Sequence, residues 1–164
     1  PLRAMASSGM ARARIPGVDY ASPGCYFITA VTAGRLPLLG QLHNAALVPT
    51  RIGGAVESAW RAIPTFRPWI TVGPFTLMPD HIHGMLWWHR VPDDREGVLA
   101  VVVRGFKSDA TLRARAAGIL GPRQRLWQRS YDVRFIMSRR RFDIVHRYIL
   151  DNPRRAWTKL QPRC

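Results

Sequence analysis

The stretch that decides the fold is Met78-Pro79-Asp80-His81-Ile82-His83-Gly84-Met85-Leu86-Trp87-Trp88. Its apolar and aromatic residues over 82–88 predict a strand, bounded by a turn that contains proline and aspartate. Successive side chains of a strand point to opposite faces, so His81 and His83 share one face while Ile82 points into the core. The sequence therefore predicts two imidazoles side by side on a buried strand.

Further elements are predicted on both sides of this stretch. Three more strands are predicted over 26–32, over 69–78 with an interruption at Gly73-Pro74, and over 131–137. Three helices are predicted. The first runs from Pro49 or Thr50 to Ala62 and is closed by Pro64, and the second runs from Asp93-Asp94 to Ala117 and is ended by Gly118. The third is capped by Ser138, reaches Asp151 and is stopped by Asn152-Pro153. The order β-α-β-β-α-β-α predicts an α+β ferredoxin-like sandwich, with an antiparallel sheet and its helices on one face.

The chain length of 164 residues is typical of one domain. No internal repeat or low-complexity linker divides it, so we expect a single domain over 1–164. Flexible tails are expected over 1–20 and 158–164.

The charge is strongly positive and unevenly distributed. Lys and Arg number 25 against 10 Asp and Glu, which gives a net charge of +15, and all but Lys107 and Lys159 of these cations are arginine. Residues 104–164 hold 16 of the bases and 4 of the acids. An excess of this size indicates a polyanionic partner such as nucleic acid, contacted mainly by the second half of the chain.

Other classes of protein are disfavoured. No run of 18 apolar residues exists, and the first ten residues lack the layout of a secretory signal. Cys25 and Cys164 are too few for a zinc-ribbon ligand set. We expect a reduced, cytoplasmic and nucleoid-associated protein without a membrane partner.

The last helix carries residues that could complete a site beside the histidines. Two imidazoles on one face fit two ligands of one metal ion, but a metal site needs at least one further ligand. Tyr148 and Asn152 are four residues apart and share one helix face, beside the apolar positions Phe142, Val145 and Ile149. By themselves, these two residues are also compatible with a tyrosine at the edge of the core and an asparagine at the C-terminus of the helix, without a function.

Five blocks in order carry a resemblance to a known family. They are Gly24-Cys25-Tyr26-Phe27-Ile28-Thr29 followed by Arg35 and Leu39-Gly40, then Met78 to Gly84, Arg104-Gly105-Phe106-Lys107-Ser108, Leu126-Trp127-Gln128-Arg129-Ser130-Tyr131, and Tyr148-Ile149-Leu150-Asp151-Asn152-Pro153. Together they resemble the single-tyrosine HUH transposases, and most closely the REP-associated tyrosine transposases. The resemblance covers roughly residues 20–160.

The resemblance implies a role for each matching residue. It implies that His81 and His83 are metal ligands, that Tyr148 is the nucleophile and that Asn152 completes the site for Mg²⁺ or Mn²⁺. The implied activity is nicking and rejoining of single-stranded DNA through a 5′-phosphotyrosine, on hairpin or REP-like repeats, by a monomer or homodimer. One departure is that the segment 131–134 lacks a histidine that often follows the Trp-Gln block in the family.

Several cations are candidate contacts to DNA. Arg139, Arg140 and Arg141 lie at the start of the last helix, where positive charge opposes the helix dipole. A phosphate partner nearby would explain why this charge is tolerated, and an ordinary solvated face is the alternative. Further candidates within or after the matching blocks are Arg104, Lys107, Arg129, Arg154 and Arg155.

Three alternatives remain at this point. The chain could be a nucleic-acid-binding module on the same fold that no longer cleaves, or a rolling-circle initiator or relaxase with the same HUH chemistry. A hydrolase that uses His81 and His83 to activate water would be expected to carry more carboxylates near the site than this chain has.

Overall fold

The computed structural model describes residues 22–90 and 98–161, which form a four-stranded antiparallel sheet, a separate hairpin and helices. The strands are β1 (Gly24–Val31), β2 (Gly40–His43), β3 (Ala46–Pro49), β4 (Ile70–Met78), β5 (His81–Trp88) and β6 (Asp132–Ile136). The helices are α1 (Arg51–Arg61), α2 (Ile63–Phe66), α3 (Val98–Ala116) and α4 (Arg139–Leu160), and a 3₁₀ turn spans Ala33–Arg35. The predicted α+β class and antiparallel sheet are confirmed.

The sheet has the order β4-β5-β1-β6, so β5 and β1 are its central strands. His83 of β5 pairs with Thr29 of β1 on one side and with Thr76 of β4 on the other. The register of β4 shifts between Val72 and Phe75, where the sequence predicted an interruption. The histidine pair therefore lies in the middle of the sheet.

Both faces of the sheet are covered, which corrects the prediction that the helices share one face. Ile28, Ile82 and their neighbours on one face belong to the main core, together with buried residues of α1 and α3. On the opposite face, Phe27 and Met85 pack with Ile149 of α4 in a second cluster. The central strands alternate apolar residues toward both faces, so a helix is needed on each side to keep them from water.

Helix α4 is longer than predicted. The sequence predicted a stop at Asn152-Pro153 and a tail from 158, but the helix runs through Pro153 to Leu160. Proline removes one backbone hydrogen bond and normally ends or kinks a helix. Here the extra turns pack against the β2–β3 hairpin, with the ring of Trp157 centred 6.5 Å from that of His43. This tertiary contact favours continuation of the helix.

The hairpin of β2 and β3 has no counterpart in the prediction. Each strand has only four residues, too few for an alternating pattern to stand out in the sequence, and most of their side chains are exposed. The turn residues Asn44 and Ala45 both have positive φ angles of 47° and 64°. That conformation suits a two-residue hairpin turn, but alanine gives no sequence signal for it.

The predicted helix starts agree with the structure where it describes them. Thr50 Oγ1 accepts a hydrogen bond from Gly53 N at 3.0 Å, and Ser138 Oγ accepts one from Arg141 N at 3.3 Å. Both residues are N-caps that satisfy a free backbone donor. The predicted start of the second helix at Asp93-Asp94 lies outside the described residues. Within the described ranges, no helix is long and apolar enough to cross a membrane.

We predict that Gly84→Ala destabilises the protein by about 1–3 kcal/mol. A methyl group on Gly84 would overlap the ring of Trp60, which is 2% exposed and cannot move without disturbing the core. The matched control is Gly54→Ala in α1, where an added methyl meets nothing and should stabilise by about 0.5–1 kcal/mol. Urea unfolding measures both changes, and a Gly84→Ala variant as stable as the parent would contradict the packing described here.

Candidate active site

The two histidines of β5 lie together on the sheet face that α4 covers. Their ring centroids are 4.7 Å apart. His83 is 6% exposed and its ring is stacked on Phe27 at 5.2 Å, whereas His81 lies nearer to solvent. The pair predicted from the sequence therefore forms one compact site at the border between core and surface.

Tyr148 joins the histidines from the opposite side, on α4. Its hydroxyl oxygen is 3.4 Å from His83 Nε2, and the two ring centroids are 5.3 Å apart. The next residue, Ile149, is fully buried and anchors α4 on the sheet. The hydrophobic contact of α4 thus brings together two groups that are 65 residues apart in sequence.

Each imidazole has a hydrogen-bond partner at Nδ1. Thr29 Oγ1 lies 2.9 Å from Nδ1 of His83, and Asp80 Oδ1 lies 2.6 Å from Nδ1 of His81. The other carboxylate oxygen of Asp80 accepts from Arg35 Nη1 at 2.8 Å. The hydrogen bond to His81, together with Arg35, holds the pKa of Asp80 below its ordinary value. Such outer partners orient the rings that they bind.

The sequence did not predict these three partners as site residues. Thr29 can be found only from the cross-strand register that sets it opposite His83. Asp80 precedes the histidine pair directly, so a carboxylate next to an imidazole was the available signal. Arg35 is 45 residues from Asp80, and nothing local indicates their contact.

The burial of His83 keeps its ring neutral. Desolvation, helped by the nearby positive charges of His81 and Arg134, lowers the pKa of His83 to about 3. A neutral imidazole carries a lone pair on one nitrogen, which is the form that binds metal ions. His83 is therefore ready to act as a ligand rather than as a cation at neutral pH.

The donor set fits a divalent metal ion if an amide completes it. No group of three His, Cys, Asp or Glu side chains that could hold a metal occurs in the described part of the chain. Asn152, one turn after Tyr148, has a buried amide nitrogen without a hydrogen-bond partner there. Rotation of the amide would present its oxygen in the same place. In this mixed set the amide oxygen is the ligand type that suits Mg²⁺ or Mn²⁺, and three protein ligands leave positions for substrate.

Tyr131, the other tyrosine close to a matching block, is directed elsewhere. It packs against the main core on the side of α1 and α3. Tyr148 packs in the second cluster, on the side of the histidines. Of these two tyrosines, only Tyr148 is therefore placed beside the histidine pair.

Cations extend along α4 on both sides of Tyr148. Arg141 and Arg155 lie seven residues before and after it, a spacing that keeps all three on one helix face. The Arg155 guanidinium carbon is 5.8 Å from the centre of the Tyr148 ring. The remaining predicted contacts on this helix are exposed as well, namely Arg139, Arg140 and Arg154.

The predicted contacts on α3 are separated from Tyr148 by the sheet. Arg104 is exposed on α3, on the face opposite α4. Lys107 Nζ donates to the carbonyl oxygens of Gln128, Arg129 and Ser130 at 2.5, 3.1 and 3.4 Å, and burial lowers its pKa. Lys107 thus fixes the segment before β6, and the side chain of Arg129 in this segment is exposed. Contact of these cations with DNA stays a prediction.

Comparison with other sequences gives one distant relative and no family. No family model matches the chain. An uncharacterized protein of Haemophilus influenzae is 26% identical over 160 residues, which cover 85% of this chain and 86% of the relative. This similarity by itself assigns no activity.

Comparison with solved structures identifies the fold. The structure of the REP-associated tyrosine transposase bound to a REP hairpin aligns with a TM-score of 0.62 and 19% identity, over 90% of this chain and 74% of that one. A crystal structure of a putative transposase from Deinococcus radiodurans aligns with a TM-score of 0.53 and 20% identity, over 84% and 97% of the two chains. The chain has the fold of the REP-associated tyrosine transposases, and the resemblance seen in its sequence is confirmed at that level.

We predict that Thr29→Val destabilises the protein by about 1–3 kcal/mol, because it leaves Nδ1 of the buried His83 without a partner. Thr76→Val is the matched control. Thr76 flanks His83 on the other side, but its hydroxyl makes only a 3.4 Å bond to the Leu77 carbonyl, so the cost should stay below about 1 kcal/mol. Denaturant unfolding without added metal compares the two variants. Equal losses would contradict the role of Thr29.

Proposed function

We propose that this protein nicks and rejoins single-stranded DNA in a reaction that depends on Mg²⁺ or Mn²⁺, with Tyr148 as the nucleophile. The observation that carries the proposal is the 3.4 Å distance between the Tyr148 hydroxyl and Nε2 of His83, beside the second imidazole of His81. The fold shared with a transposase bound to a REP hairpin supports hairpin-forming repeats as the substrate class.

The residues that would hold the metal are His81, His83 and Asn152. A bound divalent ion would polarise the scissile phosphate and offset the negative charge that develops during attack. Burial keeps His83 neutral, and its contact with Thr29 uses Nδ1, which leaves Nε2 on the side of the Tyr148 hydroxyl. Asp80 leaves Nε2 of His81 available in the same way.

The covalent step forms a bond between the Tyr148 oxygen and phosphorus and breaks the bond from phosphorus to the 3′ oxygen. The phenol proton leaves to water and the departing 3′ oxygen takes up a proton. The products are a 5′-phosphotyrosine and a free 3′-hydroxyl. Because the tyrosyl ester retains the bond energy of the phosphodiester, attack by another 3′-hydroxyl can rejoin the strands without a nucleotide cofactor.

The cations of α4 supply contacts for the strand on either side of the reacting phosphate. Arg141 and Arg155 share the helix face of Tyr148, and Arg139 and Arg140 extend the positive surface at the helix start. Phosphate contacts fix the register of a nucleic acid without reading its sequence. We infer that a single strand follows α4 across the site.

We predict that Tyr148→Phe abolishes formation of the covalent adduct, because the phenyl ring has no oxygen to attack phosphorus. The assay incubates labelled single-stranded hairpin DNA with Mn²⁺ and separates protein–DNA adducts on a denaturing gel. Binding of the same oligonucleotide should be retained, since the ring still packs on the sheet. Tyr131→Phe is the control and should still form the adduct.

Two results would contradict this prediction. An adduct in the Tyr148→Phe variant would show that another residue is the nucleophile. A wild-type protein that binds the hairpin with Mn²⁺ present, but gives neither cleavage nor adduct, would favour the binding module without cleavage.

We also predict that replacing Arg139, Arg140 and Arg141 by Ala weakens binding and reduces its dependence on salt. Each phosphate contact to a single strand contributes about 0.7 to the slope of log K against log salt, so the loss should reach about 2 if all three contact phosphate. The control replaces Arg113, Arg115 and Arg123, which lie on or just after α3. A salt titration that gives equal slopes for both triple variants would exclude α4 as the preferred path.

A further inference from the structure

The segment after β1 is hydrogen-bonded to the turn that precedes His81. Thr32 N donates to the Asp80 carbonyl at 2.9 Å, and the Thr32 hydroxyl lies 2.8 Å from the Leu36 carbonyl and 3.0 Å from that of Asp80. Leu39 N donates to the Pro79 carbonyl at 3.0 Å. Thr32 is fully buried, so these bonds are shielded from water. They fix the backbone of Asp80 relative to β1.

A bend in this segment brings Arg35 back to Asp80. Gly34 and Arg35 have φ angles of 63° and 56°, in the left-handed region that residues with a Cβ atom seldom adopt. At the end of this bend, Arg35 Nη1 donates to Asp80 Oδ2 at 2.8 Å. An uncommon backbone conformation persists where surrounding contacts hold it, and such positions occur often at functional sites.

Both carboxylate oxygens of Asp80 are used, one by Arg35 and the other by Nδ1 of His81. A carboxylate at neutral pH only accepts hydrogen bonds, so the 2.6 Å contact requires the proton of the neutral imidazole to be on Nδ1. The lone pair is then on Nε2. The hydroxyl of Thr29 at His83 can donate or accept and selects neither tautomer by itself.

We propose that Arg35 and Asp80 are positioning residues of the active site. Arg35 orients the Asp80 carboxylate, and this carboxylate holds His81 as the tautomer whose Nε2 is free to bind a metal ion. The metal-binding purpose rests on the proposed function, whereas the tautomer is a property of the metal-free protein. In this arrangement Asp80 acts on the site through His81, with which its Oδ1 makes the 2.6 Å contact.

A structural ion pair and a phosphate contact are the two other roles that Arg35 could have. Half-exposed ion pairs contribute little to stability, so stability alone does not test the proposal. The pair Arg113–Asp109 on α3 is a matched control, with 2.9 Å between Arg113 Nε and Asp109 Oδ2. The side chains of Arg113 and Asp109 are 39% and 32% exposed, and those of Arg35 and Asp80 are 51% and 23% exposed.

The first experiment determines the tautomer of the neutral His81 ring by ¹⁵N NMR in the metal-free protein. The His81 signals are assigned by their loss in His81→Gln. We expect the wild type to carry the proton on Nδ1. Asp80→Asn should shift the population toward the Nε2-protonated form, because its amide can donate as well as accept. Arg35→Gln should give a smaller shift in the same direction, and Arg113→Gln none.

The second experiment measures Mn²⁺ affinity by electron paramagnetic resonance without DNA. Asp80→Asn should weaken Mn²⁺ binding by about 10–100-fold, the range found when an outer partner of a ligating histidine is lost. Arg35→Gln should weaken it less, Arg35→Lys should recover part of the loss, and Arg113→Gln should match the wild type.

Three results would overturn the proposal. The first is a wild-type His81 protonated on Nε2, and the second is an Asp80→Asn variant with unchanged tautomer and Mn²⁺ affinity. The third is an Arg35→Gln variant that loses affinity for DNA while tautomer and metal affinity stay the same, which would make Arg35 a phosphate contact. Absence of DNA cleavage by a wild type with the expected tautomer would contradict the proposed function instead.

Discussion

The alternation of side chains along β5 is the constraint on which the rest of the structure depends. This strand has neighbours on both sides and helices over both faces. Ile82 and Leu86 enter the main core, while His83 and Met85 lie beneath α4. A shift of register by one residue would turn both histidines into the apolar core. It would also turn Ile82 and Leu86 to the face that α4 covers. The hydrophobic effect therefore fixes the orientation of the polar site.

The position of Tyr148 is likewise set by apolar contacts. Ile149 is fully buried on the sheet, and Phe142 and Val145 pack beside it. Their burial holds α4 in place, so the neighbouring hydroxyl reaches His83 although only one long hydrogen bond joins them. The same packing removes His83 from water and keeps it neutral. Geometry and protonation of the site thus have a common cause.

The arginines and lysines that dominate the composition have different roles in the structure. Those on α4 are mostly exposed and lie on the side of the site. Lys107 on α3 instead holds three carbonyl groups. Arg113 pairs with Asp109 on α3, and on α4 Arg139 and Arg154 form similar pairs with Asp143 and Asp151. Arg35 contacts a carboxylate that contacts His81. A count of charges indicates a polyanionic partner, but only the contacts of each cation indicate which of them are available to it.

The sequence by itself determined the features that depend on local pattern. These are the four strands of the main sheet, the caps Thr50 and Ser138, and the shared face of His81 and His83. Local pattern does not record which distant segments become neighbours, so only the tertiary structure decided that α4 covers the second face and continues past Pro153. For the same reason, the contacts of Thr29 and Arg35 with the site could not be predicted from the sequence. The register between strands sets Thr29 opposite His83, and a bend 45 residues from Asp80 brings Arg35 to it.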